Sequence, residues 1–196
     1  MKIGLTGGIG SGKTYVCNII ASKGFPVYNC DLMAKSLMVT DASIIKGIKE
    51  LVGPNAYTPN GSINKDAISS YLFASKENAG KINAIVHPAV KKHFRNWALE
   101  QGSDVVFIES AILFESGFDE EVDFTVAVCA PMETRIQRAM TRDNATRQKI
   151  EERIQQQFSD SEIQSRADYL IHNDGAADLL SQIADLLTLI KKDCTN

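Results

Sequence analysis

A chain of 196 residues is too short for two ordinary domains side by side, so one compact fold carrying insertions is expected. Apolar and charged fractions of 44% and 23% are those of a globular protein, and no apolar run approaches the length of a membrane span. A formal net charge of −3 argues against nucleic acid or an anionic membrane as the main partner.

Lys2-Ile3-Gly4-Leu5-Thr6 reads as a short buried strand, and the glycine-rich stretch Gly7 to Gly12 that follows suits neither helix nor strand. The same stretch stands where a signal peptide would need its apolar region, so none is expected. Lys13 to Ser22 places Val16, Ile19 and Ile20 at helical spacing, and Gly24 closes that helix. Phe25-Pro26-Val27-Tyr28 begins a second strand. Strand, loop, helix and strand form one β-α-β unit, which predicts an α/β fold with a parallel sheet. From Asp31 to about Gln101 the pattern is mostly helical, interrupted between Gly53-Pro54-Asn55 and Asn60-Gly61. Val105 to Ile108 and Phe124 to Val128 are continuous β-branched apolar runs, the mark of strands buried on both faces. Pro131 to Phe158 is polar, arginine-rich and helical, Tyr169 to Ile171 is a last short strand, and Ala176 to Lys191 is an amphipathic closing helix. The core is thus expected over about 1–30, 102–130 and 159–196, with a substrate subdomain over about 31–101 and a lid over about 131–158. Such a layout suits an enzyme that closes over a phosphate donor and excludes water.

Cysteines stand at 17, 30, 129 and 194 with no CxxC pair, so metal-site and disulfide-framework readings fail on spacing. Reduced, buried thiols in a cytoplasmic protein are the expectation.

Gly7-Gly8-Ile9-Gly10-Ser11-Gly12-Lys13-Thr14 matches GxxxxGK[ST] in full, with a strand before it and a helix after it. Glycines let the backbone aim its N–H groups at phosphate oxygens, and the helix starting near Lys13 adds its positive end. In that pattern Lys13 bridges the β- and γ-phosphates of ATP and the Thr14 hydroxyl holds Mg²⁺. The plain alternative is a structural glycine turn. GTPases carry an Asn-Lys-x-Asp guanine reader after a late strand, and Asn64-Lys65-Asp66 has neither that spacing nor that place. A motor ATPase needs a longer chain, so a small kinase fits best.

Leu5-Thr6-Gly7-Gly8-Ile9-Gly10-Ser11-Gly12-Lys13 resembles the start of the dephospho-coenzyme A kinase family, including the residues between the glycines. Val27 to Asp31 is similar to the family segment ending in Asp-x-Asp. Gly61 to Phe73 resembles its substrate subdomain, and Ile85-Val86-His87-Pro88 its His-Pro motif. Glu109 to Glu115 resembles Asp-x-Pro-Leu-Leu-Phe-Glu. Arg138-x-x-x-Arg142-Asp143, Arg153-Ile154 through Gln156, and Ala167-Asp168-Tyr169 through Asn173-x-Gly175 follow in the family's order, so the likeness covers nearly the whole chain. The departures are Asn29 for the first aspartate, Glu109 for aspartate, Ala111 for proline, Lys65 for arginine and Arg135 for glutamine.

The resemblance implies a three-layer P-loop fold of the nucleoside-monophosphate-kinase type. The reaction it implies is transfer of the ATP γ-phosphoryl group to the ribose 3′-hydroxyl of dephospho-coenzyme A. Gly8, Gly10, Ser11, Gly12, Lys13, Thr14 and Tyr15 would hold the nucleotide, with Asn173 and Gly175 where such kinases place adenine. Asp31 follows the second strand and would take the proton of the attacking hydroxyl; as a plain alternative it caps the helix that begins with Leu32. Glu109 closes an apolar strand and would hold a Mg²⁺-bound water, or is an ordinary strand-end charge. His87, before Pro88 at a helix entrance, and Lys65 would touch the acceptor, or be a satisfied histidine and a solvated lysine. Arg138 and Arg142, one helical turn apart on a lid, would stack on adenine and neutralise the transferring group, or pair with Asp143 and nearby glutamates. Partners are then ATP and dephospho-coenzyme A, without nucleic acid or membrane, in a monomer or weak homo-oligomer. The alternatives are a kinase for another small acceptor, such as a nucleoside monophosphate or sugar acid, and a nucleotide-binding regulatory module.

Overall fold

The computed structural model describes residues 1–193, so Cys194 lies outside the described residues. The chain divides into two compact units, Met1–Asn29 with Ala98–Asn196, and Cys30–Trp97.

The first unit is built on a five-stranded, wholly parallel sheet in the order β2-β3-β1-β4-β5. Its strands are β1 (Lys2–Thr6), β2 (Val27–Asn29), β3 (Val106–Glu109), β4 (Phe124–Cys129) and β5 (Tyr169–His172). The apolar runs pack on both faces, as parallel strands must when crossover helices cover each side. Val16 and Ile20 of α1 (Lys13–Ser22), with Ile183, Leu186 and Ile190 of α9 (Leu179–Asp193), cover Ile3, Leu5, Phe107, Val126 and Ile171 on one face. Ile163 of α8 (Asp160–Arg166) meets Ala127 and Phe114 on the other. Ile136 and Ala139 of α6 (Met132–Asp143) join Ile150 of α7 (Arg147–Ile154) in a separate small core, against which Ile9 of the glycine loop packs.

Several strand boundaries lie a residue or two from their expected places. β2 begins at Val27 because Phe25 leaves the ladder and sets its ring edge-on to Phe107, centroids 5.8 Å apart. β3 extends to Glu109, whose backbone pairs in register with Leu5 on one side and Asn29 on the other. Glu109 thus closes the apolar strand, as its place in the sequence leads one to expect.

The second unit is helical, with α2 (Cys30–Thr40), α3 (Ala42–Val52), α4 (Lys65–Ala74) and most of α5 (Lys76–Glu100). Asp41 caps α3 through Ser43 and Ile44, and Asn64 caps α4 through Ala67. Pro88, expected beside a helix entrance, lies inside α5. Ile82, Val86, Val90 and Phe94 are all buried at four-residue spacing, and that stripe keeps the helix continuous across the proline's missing hydrogen bond.

Candidate active site

In a parallel sheet the strands' carboxyl ends open onto one edge, and ligands bind there. β1 delivers the glycine loop to that edge, β2 ends in Asn29, β3 in Glu109, and the turn after β5 begins with Asn173.

The loop folds on itself through Ser11 N–H donating to the Gly8 carbonyl at 3.1 Å. Gly10 and Gly12 take φ of +79° and +97°, where a side chain would be strained. Gly12 is also the N-cap of α1 and supplies no capping side chain, so the amides of the first turn remain suited to an anion. Lys13 crosses the loop, its ammonium donating to the Gly7 carbonyl at 2.7 Å and the Gly8 carbonyl at 3.3 Å. Ser11 Oγ is buried with no hydrogen-bond partner among the described residues. Such a hydroxyl costs about 1–3 kcal/mol, and functional sites are where that cost is tolerated. Tyr15, in the first turn of α1, stands 61% exposed.

Thr14 Oγ1 donates to Glu109 Oε1 at 2.6 Å, and Asn29 Nδ2 donates to Glu109 Oε2 at 2.8 Å. Glu109 is 7% exposed. Register explains the second contact, since Asn29 and Glu109 are ladder partners. Two of the departures from the family pattern therefore meet at one carboxylate. Beneath them Cys17 is buried, and desolvation, then the charge of Glu109, pushes its thiol far above the ordinary range, with Lys13 opposing. It is an inert core thiol.

Arg138 donates to the Asn173 carbonyl at 3.0 Å, and Asn173 Nδ2 donates to the Ser11 carbonyl at 2.8 Å. These two sequence-selected residues thus gather at the glycine loop. Arg142 does not: it is exposed and forks onto Asp143 at 2.7 and 3.1 Å, where Arg153 also binds. Gly175 takes φ +92° in an open turn.

In the helical unit, Asp31 lies in the first turn of α2 and not at its cap, because the helix begins one residue earlier at Cys30. Its exposed carboxylate suits the positive end of that helix. Lys65 is the exposed first residue of α4. His87 is half-buried within α5, and burial, with Lys91 adding, holds its imidazole below the usual histidine range, so it is neutral near pH 7.

Two residues at the loop carried no role in the sequence reading. Arg135 is 2% exposed, donates from Nε to the Ile9 carbonyl at 2.9 Å and pairs with Asp160. Gln157, one position beyond the Gln156 quoted above, accepts from Ile9 N–H at 2.9 Å. The only sequence signal was Arg135 standing in place of a glutamine.

The chain's residues 1–178 match the family model described as dephospho-CoA kinase. A dephospho-CoA kinase of Bacteroides fragilis is 45% identical over 191 residues, covering 97% of this chain and 93% of that protein. A crystal structure from Thermus thermophilus superposes with TM-score 0.83 at 28% identity, over 98% of this chain and 97% of the other. A dephospho-CoA kinase structure from Campylobacter jejuni shares the fold, with TM-score 0.68 at 22% identity over 100% and 98% of the two chains.

Proposed function

The chain belongs to the dephospho-CoA kinase family, and from that premise we propose how its own residues move the γ-phosphoryl group of ATP to the ribose 3′-hydroxyl of dephospho-CoA. The observation that carries the reading is the 2.6 Å bond between Thr14 of the glycine loop and the strand-end carboxylate of Glu109. It is the arrangement in which a P-loop hydroxyl and an acidic strand end share one cation.

The loop amides and the start of α1 receive the phosphates, and Lys13, already swung across the loop, follows their charge. A hydroxyl and a carboxylate side by side are hard oxygen donors. Among the described residues no cluster of three or more His, Cys, Asp or Glu offers an all-protein cage. That donor set fits Mg²⁺, which takes one or two protein oxygens and completes its shell with phosphate and water. Bound there, Mg²⁺ would neutralise charge on the β- and γ-phosphates.

Asp31 takes the proton as the acceptor oxygen bonds to the γ-phosphorus and the bond to the β–γ bridging oxygen breaks, releasing ADP. Arg138, tied to the loop through Asn173, meets the charge that develops on the transferring group. Residues 131–158 act as the lid, and 31–101, with Lys65 and His87, receive the acceptor. No described helix is long and apolar enough to cross a membrane, and a cytoplasmic enzyme, monomeric or weakly self-associating, fits a biosynthetic role.

A coupled ADP-release assay with Mg²⁺-ATP tests the acceptor. Dephospho-CoA should be turned over far faster than nucleoside monophosphates or a sugar acid, and Lys13→Ala should nearly abolish turnover. Equal rates with another acceptor class would reassign the substrate. No turnover with any acceptor would favour a nucleotide-binding module.

A further inference from the structure

We propose that Gln157 and Arg135 are positioning residues that clamp the peptide planes on either side of Ile9, so that the glycine loop keeps its amides toward the nucleotide phosphates. The proposal rests on the P-loop reading given above. Ile9 N–H donates to Gln157 Oε1 at 2.9 Å, and the Ile9 carbonyl accepts from Arg135 Nε at 2.9 Å. Both backbone groups of one loop residue are therefore held by side chains from outside the loop.

A trans peptide fixes the consequence. Within one plane, the carbonyl of one residue and the N–H of the next point in opposite directions, and among the described residues no peptide is cis. With the Ile9 carbonyl turned to Arg135, Gly10 N–H must face the other way. With Ile9 N–H turned to Gln157, the Gly8 carbonyl must face away from Gln157. It does, accepting from Ser11 N–H at 3.1 Å and from the Lys13 ammonium at 3.3 Å. The clamp thus orients an amide and the lysine together.

Within the loop, Ser11 N–H and the Lys13 ammonium brace only the Gly8–Ile9 plane through the Gly8 carbonyl, and the Ile9 carbonyl is held from outside by Arg135. Ile9 has glycine on both sides, and glycine crosses between left- and right-handed conformations at little steric cost. A flipped peptide would present a carbonyl oxygen to the phosphates in place of an amide.

Both clamping side chains are themselves held. Gln157 Nε2 donates to the Ala111 carbonyl at 2.8 Å, and the next residue, Phe158, donates its N–H to Glu115 at 2.9 Å. Arg135 is buried and paired with Asp160. A Cβ at Gly8 would overlap the Arg135 guanidinium and one at Gly10 its backbone, so the loop lies directly on this arginine.

The test compares ADP, which carries the β-phosphate that the loop cradles, with AMP, which lacks it. Affinities are measured by calorimetry and competition on the full chain and on Gln157→Met, Arg135→Lys and, as an exposed control, Gln156→Met. Methionine keeps the length of Gln157 and removes both hydrogen bonds. Lysine keeps the charge opposite Asp160 and loses the Nε–H donated to Ile9. The unmodified chain must prefer ADP; if it does not, the P-loop reading fails before the clamp is reached. Given that preference, Gln157→Met and Arg135→Lys should each lower ADP affinity about tenfold while AMP affinity moves less than about twofold, the scale of one misdirected charged hydrogen bond. KM for dephospho-CoA should hold, and Gln156→Met should change nothing. An unchanged ADP-to-AMP ratio in either folded variant, or equal loss for both nucleotides, overturns the proposal whatever the melting temperatures do. Should Arg135→Lys fail to fold, the half-buried Gln157 decides alone.

Discussion

Asn29→Asp restores the aspartate of the family pattern, and in this chain it should be harmful. Asn29 Nδ2 lies 2.8 Å from Glu109 Oε2, and the substitution sets a second carboxylate oxygen at that place. Two unit charges at this separation repel by about 6 kcal/mol at an effective dielectric near 20. The protein limits the cost by taking up one proton between the two groups. Near pH 7, protonating an aspartate of ordinary pKa, about 3.9, costs about 4 kcal/mol, which caps the loss. For a chain of this length that corresponds to a fall of roughly 8–16 °C in melting temperature. The sign with pH follows. The new carboxyl has a folded pKa above its unfolded one, so the penalty is absent below about pH 4 and grows as pH rises. Thermal melts of both chains from about pH 4 to 8, without divalent cation, should diverge with rising pH. Adding Mg²⁺ should narrow the gap, since a dication is drawn to both carboxylates. A second change, Glu109→Asp, withdraws one carboxylate by a methylene and should recover part of the loss. Superimposable melts near pH 7 would refute the claim that Asn29 and Glu109 form one adapted pair.

Asp31→Asn should cut kcat by about 10²–10⁴ through loss of the base; its melting temperature should barely move, because a first-turn charge contributes only about 0.3–1 kcal/mol. Full activity would leave Asp31 as a helix-end charge. Arg138→Ala should lower kcat well beyond Arg142→Ala, because Arg138 is tied to the glycine loop through Asn173 while Arg142 is committed to Asp143; the reverse order in steady-state assays would exchange their roles. Arg147 holds the Glu133 carboxyl down at about 2 from an ordinary 4.5 through its hydrogen bonds, Gln137 assisting. The folded pKa being the lower one, any stabilisation is present above about 4.5 and lost as pH falls toward 2. Low-salt melts of Glu133→Gln should therefore differ from the unmodified chain most above about pH 4.5 and converge with it toward pH 2, and the difference should be slight because the pair is exposed.

The sequence by itself determined the P-loop, the parallel α/β sheet and α1, because each is written in neighbouring residues. Glycines set the turn, an apolar run sets a buried strand, and the spacing of Val16 and Ile20 sets the packed face of a helix. Local periodicity could not place Asp31 within the first turn of α2, nor carry α5 through Pro88, since long-range packing fixes both. Ladder register decided that Asn29 and Glu109 stand side by side, and two substitutions that look independent along the chain proved to be one contact. The tertiary structure also decided the support of the glycine loop. Arg135 lies 126 residues and Gln157 148 residues from Ile9 in the chain, and only folding brings them to its carbonyl and its amide. A motif names the groups that face a phosphate, whereas the direction they face is set by hydrogen bonds to residues the motif does not contain.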